Sequence, residues 1–549
     1  MSGLRERALE ELGSCVFDVL VIGGGIVGSR VALDAARCGL RVALVDAGDF
    51  GGATSGASAR LIHGGLRYLE TGDVRLVRAS LRERDVLASR VAPHLVRPLP
   101  FVLSANGGKR RARCAAGLLL YSALSDFRRP LPRFATPEEV ASLVPPLRAH
   151  DLDSHVVFRE ATTNDSRLTL ATVTAAARSG AVVANYLRAS APELVPGGIS
   201  CVALRGPEGA LVLRCRAVVN ATGPWVDRMR KMEDSGCGPI SRLSKGVHLV
   251  LQPYEPWRAA VAVSLEGGRH LYAVPCEGRV LLGTTDDEYE GDPAGVAAEP
   301  EEVSSLLQTA GEFLRPEMLR EGRVISAFAG LRVLPRGGTA TLDASRGHLI
   351  GVGPRGMVSV AGGKLTTHRR IALDALRNLP DAVRPRRLRL SDASLSGALA
   401  PRFMEAYSPL DSSTVQHLLS LYGGETPGLL ARGNVSPDAL ERVTLGAPDL
   451  WAQVYHAVRE EWAVTADDII YRRTTLGLRG FDTPQIRRKI STILEADANV
   501  FSSGLVAQPL RTPGGPAPGG GRGGVRGRGR GPGRKITDRY LGDEELRIG

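Results

Sequence analysis

Three glycines near the N-terminus have the spacing of a phosphate-binding turn. Gly23, Gly25 and Gly28 form G-x-G-x-x-G, with Gly24 inside the turn, between an apolar run and a helical pattern, and Asp46 ends the next apolar run. Glycine lets the backbone approach a pyrophosphate, the helix N-terminus favours an anion, and an acidic residue at this distance accepts hydrogen bonds from a ribose. The pattern predicts a dinucleotide-binding site, with FAD and NAD both open.

A polar stretch after Asp46 favours a flavin. Its hydroxyl and amide groups could donate hydrogen bonds to the pyrophosphate and ribityl chain of FAD, although a plain surface loop has the same composition. The candidate cofactor residues of this stretch are Thr54, Ser55, Ser58 and Arg60.

A late glycine turn, AGGKLTT, offers a second contact for a flavin. The helix that follows it would direct its N-terminus at the pyrimidine oxygen and stabilise the negative charge of a reduced ring. The same composition also fits an ordinary helix start. The candidate cofactor residues here are Gly362, Gly363, Lys364, Leu365 and Thr366.

The order of apolar runs predicts the elements that position these motifs. VFDVLVI, the glycine turn, SRVALDAARCGL and RVALV predict the βαβ unit of a doubly wound sheet, and alternating runs between Val247 and Thr285 predict an antiparallel sheet. Beyond about residue 400 the periodicity is helical. We predict an α/β protein with a Rossmann-like FAD-binding domain built from discontinuous segments, an inserted antiparallel β-rich substrate domain and a C-terminal α-helical domain.

Length and composition agree with several packed domains. The chain has 549 residues, 23% charged and 43% hydrophobic, which excludes a coiled coil, collagen or disorder for most of it. The predicted boundaries are 1–100, 155–245 and 325–395 for the FAD-binding domain, 101–154 and 246–324 for the substrate domain, 400–505 for the helical domain and 506–549 for a disordered Gly/Arg-rich tail.

More than half of the net charge of +12 lies in one segment of that tail. Seven basic and no acidic residues lie between Arg511 and Lys535, so the rest of the chain is only mildly basic. The tail could bind nucleic acid or acidic lipid, link a short terminal segment, or have no function. It has no interleaved aromatic residues for base stacking, so we favour a flexible linker and expect no nucleic-acid partner.

The cysteines argue against a disulfide framework or a structural zinc. There are seven, none in a CxxC pair, which suits a reducing compartment, and we expect no metal. The first residues lack the apolar run of a signal peptide, and no uncharged apolar stretch reaches the length of a membrane span. We therefore expect a cytoplasmic protein that could lie on a membrane without crossing it.

Several motifs together resemble one enzyme family. DVLVIGGGIVGS, ATSGASARLIHGGLRYLE, VVNATGPWVD, GTTDDEYEGDP, AGLRVL and AGGKLTTHR are similar to the FAD-dependent glycerol-3-phosphate dehydrogenases, from about Phe17 to Leu478. The resemblance implies FAD, oxidation of sn-glycerol 3-phosphate to dihydroxyacetone phosphate by hydride transfer from C2 to flavin N5, and electrons passed to a quinone. It also implies peripheral attachment at the inner face of the cell membrane, and it leaves open whether the chain forms a homodimer.

The resemblance also implies site residues. A substrate phosphate calls for convergent cations, and arginine suits it through its bidentate fork. The implied substrate-binding residues are Arg67, Tyr68, Arg332, Arg346, Lys364 and Thr367. It adds to the cofactor-binding set His63, Gly64, Gly65, Ala221 and Gly223.

A base must take the substrate hydroxyl proton, and histidine suits this near neutral pH. We favour His248, in KGVHLVL, with Arg332 as its catalytic partner, while His63 in LIHGG is expected to pack near the isoalloxazine. A water assisted by an arginine stays open. Of the remaining motif residues, we expect Asp286 to be an orienting carboxylate, and Arg472 and Arg473 to form structural ion pairs.

The chain departs from the family pattern beside proposed site residues. Val333 stands where proline is usual, Cys276 where tryptophan is usual, and TNDSRL where DDARL is typical. We expect Cys276 to be structural, because no activating base flanks it. These departures keep two alternatives open: a related oxidase or dehydrogenase of another small substrate, or an inactive flavin-binding assembly subunit.

Overall fold

The computed structural model describes most of the chain. It covers residues 3–65, 72–105, 117–125, 131–152, 154–190, 192–195, 199–265, 270–320, 322–336, 347–397, 410–433 and 436–502. Three predicted substrate-binding residues, Arg67, Tyr68 and Arg346, lie outside the described residues, and so does the predicted tail at 506–549.

The first sheet is built around parallel strands. Its main path is β18-β19-β11-β1-β2-β7, in which β18 is antiparallel to β19, and β10 joins β8 and β9 to β11. The strands are Val16–Ile22 (β1), Val42–Val45 (β2), Val182–Ala184 (β7), Arg188–Ala189 (β8), Glu193–Val195 (β9), Ile199–Gly206 (β10), Gly209–Asn220 (β11), His348–Val352 (β18) and Val358–Gly362 (β19).

The second sheet is mostly antiparallel. Its path is β16-β12-β15-β14-β13-β4-β6-β3, with β17 on β12 and β5 on β6, and only β13 and β4 run parallel among these described pairs. The strands are Leu61–Ile62 (β3), Arg97–Ala105 (β4), Arg133–Phe134 (β5), Ser154–Thr162 (β6), Ser241–Leu251 (β12), Ala260–Ser264 (β13), His270–Cys276 (β14), Arg279–Gly283 (β15), Asp287–Tyr289 (β16) and Val324–Pro335 (β17).

Helices cover the sheets and form the C-terminal part of the described chain. They are Gly3–Ser14 (α1), Ile26–Arg37 (α2), Val74–Val86 (α3), Pro137–Leu143 (α4), Asp165–Arg178 (α5), Val226–Glu233 (α6), Pro300–Gly311 (α7), His368–Arg377 (α8), Ser412–Tyr422 (α9), Thr426–Gly433 (α10), Trp451–Glu460 (α11), Ala466–Asp468 (α12), Leu476–Arg479 (α13) and Pro484–Ser502 (α14). Among the described residues, no helix is both long and apolar enough to cross a membrane.

Burial explains why the first sheet forms. All four residues of β2 are buried, and β1 is buried along its second half, which is the pattern of strands covered by helices on both faces. Val31 and Leu33 of α2 pack in the same core as Val19 of β1 and Ile371 of α8. The predicted α/β fold, with its βαβ unit and C-terminal helices, is confirmed.

The predicted domain boundaries stay a prediction, but the sheets show how the chain divides its strands. β6 pairs with β4 over the full length of both strands, and β17 pairs with β12 along its length, so both belong to the second sheet. Nearly all of both strands falls within the predicted FAD-binding domain, because strand patterns alone do not show which sheet a strand joins. The described strands alternate between the sheets in the predicted order, but the changes fall at other residues than the predicted boundaries.

Candidate cofactor and substrate site

The glycine turn lies at the carboxyl ends of the central parallel strands and leaves no room for side chains. Gly23 has φ +106°, and a Cβ on it would lie 2.4 Å from the carbonyl oxygen of Ala221 at the end of β11. A Cβ on Gly28 would lie 1.9 Å from the carbonyl oxygen of Gly23. The turn thus packs backbone against backbone, and α2 begins directly after it, as a pyrophosphate site requires.

Asp46 closes the other side of the turn. Its carboxylate accepts hydrogen bonds from the Gly24 N–H at 2.6 Å and the Gly48 N–H at 2.8 Å. Removal from water raises the pKa of Asp46 to about 6, although these two N–H groups favour the charged form. The residue as a whole is half-buried.

The polar stretch after Asp46 lies against both the α2 N-terminus and β17. Ser55 Oγ accepts a hydrogen bond from the Ile26 N–H at 3.0 Å, which places a hydroxyl at the anion-binding end of α2. Thr54 Oγ1 donates to the Leu331 carbonyl at 2.7 Å. The stretch therefore connects the cofactor turn to the strand that carries Arg332.

The polar groups of Ser58 and Arg60 contact other side chains of the protein. The Ser58 N–H and hydroxyl both donate to Asp165 Oδ2, at 3.0 and 2.7 Å. Arg60, at φ +56°, places Nε 3.4 Å from Asp165 Oδ1 and a terminal nitrogen 3.3 Å from Cys276 Sγ. Burial raises the pKa of the Cys276 thiol, although the Arg60 charge opposes this. Their contact with a cofactor stays a prediction.

The two predicted flavin-side loops meet each other. The His63 N–H donates to Thr366 Oγ1 at 3.2 Å, and Thr366 Oγ1 donates to the His63 carbonyl at 3.3 Å. In the late turn, Leu365–Thr367 form a short 3₁₀ turn before α8, and the Thr367 N–H donates to the Lys364 carbonyl at 3.1 Å. His63 and Thr366 are 303 positions apart in the chain, and their contact joins the two loops into one surface.

The remaining predicted cofactor positions are glycines and one alanine in tight turns. Gly362 and Gly363 have φ of +78° and +101°, Gly65 +79° and Gly223 +57°. A Cβ on Gly64 would lie 2.3 Å from the Tyr121 hydroxyl oxygen, so the LIHGG loop packs directly on the helical residues 117–124. The backbone of each turn is thereby fixed in shape.

His248 lies in the middle of the second sheet. On β12 it stands between Gly283 of β15 and Phe328 of β17, and its ring stacks on Phe328 with centroids 5.1 Å apart. The residue is 5% exposed, and neither ring nitrogen has a hydrogen-bond partner among the described residues. Burial, and then the charges of Arg332 and Arg60, lower the pKa of His248 to about 3, so the ring is neutral.

Arg332 is held firmly by the neighbouring strand and turn. One terminal nitrogen donates to Ser244 Oγ and Asp286 Oδ1, each at 3.2 Å, and the other to Thr284 Oγ1 at 2.7 Å. A Cβ on Gly246 would lie 2.3 Å from this guanidinium, so glycine is needed there. The expected orienting role of Asp286 agrees with this contact.

Several residues that shape the site carry no signal in the sequence. Asp165 and Ser244 are buried and act through partners far along the chain. Asp49, which accepts hydrogen bonds from both Arg472 and Arg473, is another. The expectation of structural ion pairs for these two arginines is confirmed, but the sequence could not name their partner.

Comparison with protein-family models shows the class of enzyme to which the chain belongs. Residues 18–369 match the family model described as FAD dependent oxidoreductase, and residues 386–499 match the C-terminal domain of alpha-glycerophosphate oxidase. The glycine turn, the α2 N-terminus and the Asp46 carboxylate are the groups that the pyrophosphate and ribose of FAD require. The class is that of FAD-dependent oxidoreductases, and FAD is the cofactor.

Individual relatives narrow this class. Glycerol-3-phosphate dehydrogenase of Mycobacterium leprae is 34% identical over 86% of this chain and 83% of its own, and that of Pseudomonas aeruginosa is 35% identical over 86% and 94%. The solved structure of glycerol-3-phosphate dehydrogenase from Bacillus halodurans complexed with FAD has a TM-score of 0.73 and 29% identity, covering 91% of this chain and 93% of that one. The chain belongs to the FAD-dependent glycerol-3-phosphate dehydrogenase family.

FAD should bind more weakly as the pH falls through 6. A ribose that donates to Asp46 favours the ionised carboxylate, whose pKa without FAD is about 6, so protonation competes with binding. We expect the dissociation constant of FAD to rise about tenfold between pH 7.5 and pH 5. Titration of the apoprotein with FAD, followed by quenching of flavin fluorescence, measures this constant.

Asp46→Asn is the control, and its FAD affinity should not follow this pH profile. The contribution of Asp46 to the stability of the apoprotein should have the opposite pH dependence and rise as the pH falls. Because the folded-state pKa is raised, the ionised Asp46 costs stability above pH 6. This cost is relieved as the pH falls toward the unfolded value of 3.8. An FAD affinity in the wild type that does not change over this range would contradict a ribose contact by Asp46.

Proposed function

We propose that this protein oxidises sn-glycerol 3-phosphate to dihydroxyacetone phosphate and passes the electrons to a quinone. FAD, when bound, takes the hydride from substrate C2 at its N5 atom and later delivers the electrons. The observation that carries the proposal is His248, a neutral and buried imidazole without a hydrogen-bond partner among the described residues, next to the fixed cation Arg332. The names of the relatives support the same substrate.

His248 is suited to accept the C2 hydroxyl proton. A base must be unprotonated before the reaction, and the low pKa of His248 ensures this. Part of the depression comes from the positive charge of Arg332. A substrate phosphate would offset that charge, so substrate binding would raise the pKa of His248 and make the imidazole a stronger base at the moment it is needed.

Arg332 is suited to bind the phosphate because its guanidinium group is held in one position. Its contacts with Ser244, Asp286 and Thr284 fix the guanidinium plane, so little conformational entropy is lost when the substrate arrives. Lys364 and Thr367 lie on the late turn that contacts the His63 loop and are proposed as further substrate contacts. The roles of Arg67, Tyr68 and Arg346 stay predictions from the resemblance.

The electron acceptor and the cellular location are proposed from the resemblance alone. We propose that the protein binds peripherally to the inner face of the cell membrane, where it could reduce a quinone. This part of the proposal can be tested by supplying a soluble quinone to purified protein and to protein bound to vesicles.

The flavin should be reduced by sn-glycerol 3-phosphate in the absence of oxygen. Addition of the substrate to the anaerobic holoprotein should bleach the flavin absorbance near 450 nm, because hydride transfer yields the reduced ring. Glycerol should leave the spectrum unchanged, since it has no phosphate for the cations. A flavin that stays oxidised with sn-glycerol 3-phosphate would contradict the proposal and favour another small substrate or an inactive flavin-binding subunit.

Arg332→Ala should raise KM for sn-glycerol 3-phosphate about 10- to 100-fold, because a charged hydrogen bond contributes roughly 1.5–3 kcal/mol. FAD should stay bound. Steady-state kinetics with an artificial acceptor measure KM, and Arg279→Ala, a cation on β15 bonded to the Arg479 carbonyl, is the matched control. An unchanged KM in Arg332→Ala would rule out the phosphate role.

His248→Asn should lower kcat about 10²- to 10⁴-fold with FAD retained, because the variant cannot accept the proton. Stopped-flow measurement of flavin reduction reports the chemical step directly. His155→Asn is the matched control: His155 is a buried strand histidine whose two nitrogens contact Ser104 and the Ala149 carbonyl, so its loss should affect stability rather than flavin reduction. Unchanged reduction in His248→Asn would assign the base role elsewhere.

A further inference from the structure

The segment that follows β2 holds the middle of the glycine turn. Asp46 accepts from the Gly24 N–H at 2.6 Å, and the Gly51 N–H donates to the Gly24 carbonyl at 3.1 Å. The Phe50 ring covers Gly24 so closely that a Cβ there would lie 2.3 Å from a ring carbon. The conformation of residues 46–51 therefore sets the position of Gly24.

The C-terminal helices hold this segment through Asp49. Its buried carboxylate accepts a hydrogen bond from Arg473 at 2.8 Å and further bonds from Arg473 and Arg472, and Asn185 donates to it at 3.1 Å. The Arg473 side chain has no exposed surface. Both arginines lie in the π-helical turn Ile469–Arg473.

An aromatic contact joins the same two regions. Trp462 packs edge to face on Phe50, with ring centroids 5.8 Å apart. The Trp462 carbonyl accepts a hydrogen bond at 2.8 Å from the same Asn185 side chain that binds Asp49. Two residues in succession, Asp49 and Phe50, thus contact the C-terminal region. Asp49 contacts the turn Ile469–Arg473, and Phe50 contacts Trp462 in the loop after α11, while their neighbours contact the cofactor turn.

We propose that the C-terminal helical region is part of the FAD-binding apparatus, and that Arg473 is a positioning residue for the cofactor. Arg473 holds Asp49, Asp49 fixes residues 46–51, and these fix Gly24 and the Asp46 carboxylate for the pyrophosphate and ribose. The inference concerns retention of FAD, so it does not depend on which substrate is oxidised or which group is the base.

This arrangement requires a reciprocal effect. If docking of the C-terminal helices strengthens FAD binding by some factor, FAD must strengthen the docking by the same factor. FAD should therefore protect the backbone of Ile469–Arg473 from exchange with solvent, although none of these residues is needed to contact the cofactor.

The first test compares two variants that each remove one ion pair to the C-terminal helices. Arg473→Gln breaks the buried pair with Asp49, whereas Arg178→Gln breaks the exposed pair between α5 and Glu425. Fluorescence titration of each apoprotein with FAD should give a dissociation constant raised at least tenfold by Arg473→Gln and changed less than twofold by Arg178→Gln. Arg473→Lys should recover part of the loss. A folded Arg473→Gln protein with wild-type FAD affinity would overturn the proposal.

The second test uses the wild type and does not depend on whether a variant folds. Hydrogen exchange of the apoprotein and of the protein with FAD, measured by mass spectrometry without substrate, should show slower exchange at Ile469–Arg473 when FAD is bound. Equal exchange in the two forms would overturn the proposal. Failure of sn-glycerol 3-phosphate to reduce the flavin would affect only the proposed reaction and leave this result unchanged.

Discussion

The antiparallel pairing of β12 with β17 is the constraint on which the substrate site depends. The pairing runs from Ser241 opposite Pro335 to Leu251 opposite Val324, with one irregularity at its end. Because side chains alternate along a strand, Ser244 and His248 share one face of β12, while Val247 packs into the core on the other. The same register places Arg332 opposite Ser244 and Phe328 opposite His248. A slip of one residue would move His248, the proposed base, to the opposite face of the sheet and separate Arg332 from Ser244.

Charge balance explains why the groups of this site behave differently. Three buried or half-buried cations have carboxylate partners: Arg332 has Asp286, Arg60 has Asp165 and Arg473 has Asp49. Such pairs keep the cations charged and fixed in place, because separating either partner would leave a charge without compensation in a dry environment. His248 differs from them, since burial and then the positive charges of Arg332 and Arg60 lower its pKa. This combination of fixed cations and a neutral imidazole suits the proposed anionic substrate, from which a proton must be removed.

Local features could be predicted from the sequence, and long-range ones could not. The glycine turn, Asp46 and the helical C-terminal region follow from patterns within a few tens of residues, and the family resemblance supplied FAD. Asp165 supports Ser58 from 107 positions away and Asp49 contacts Arg473 across 424, and no spacing rule links such pairs. Cys276, interpreted as a structural cysteine, has its Sγ 3.3 Å from a terminal nitrogen of Arg60, a contact that no local pattern indicates. β6 and β17 joined the second sheet for the same reason: their partners are distant in the chain.

The sequence separation of 424 between Asp49 and Arg473 also has a consequence for synthesis of the protein. At about 5–20 residues per second, the ribosome needs roughly 20 to 85 s to make this stretch after Asp49 has appeared. During that interval the first βαβ unit has been synthesised, but Arg472 and Arg473, which bind the Asp49 carboxylate, have not. If Arg473 positions the cofactor turn as proposed, the nascent chain gains its full affinity for FAD only near the end of translation, and an interrupted chain would bind FAD more weakly.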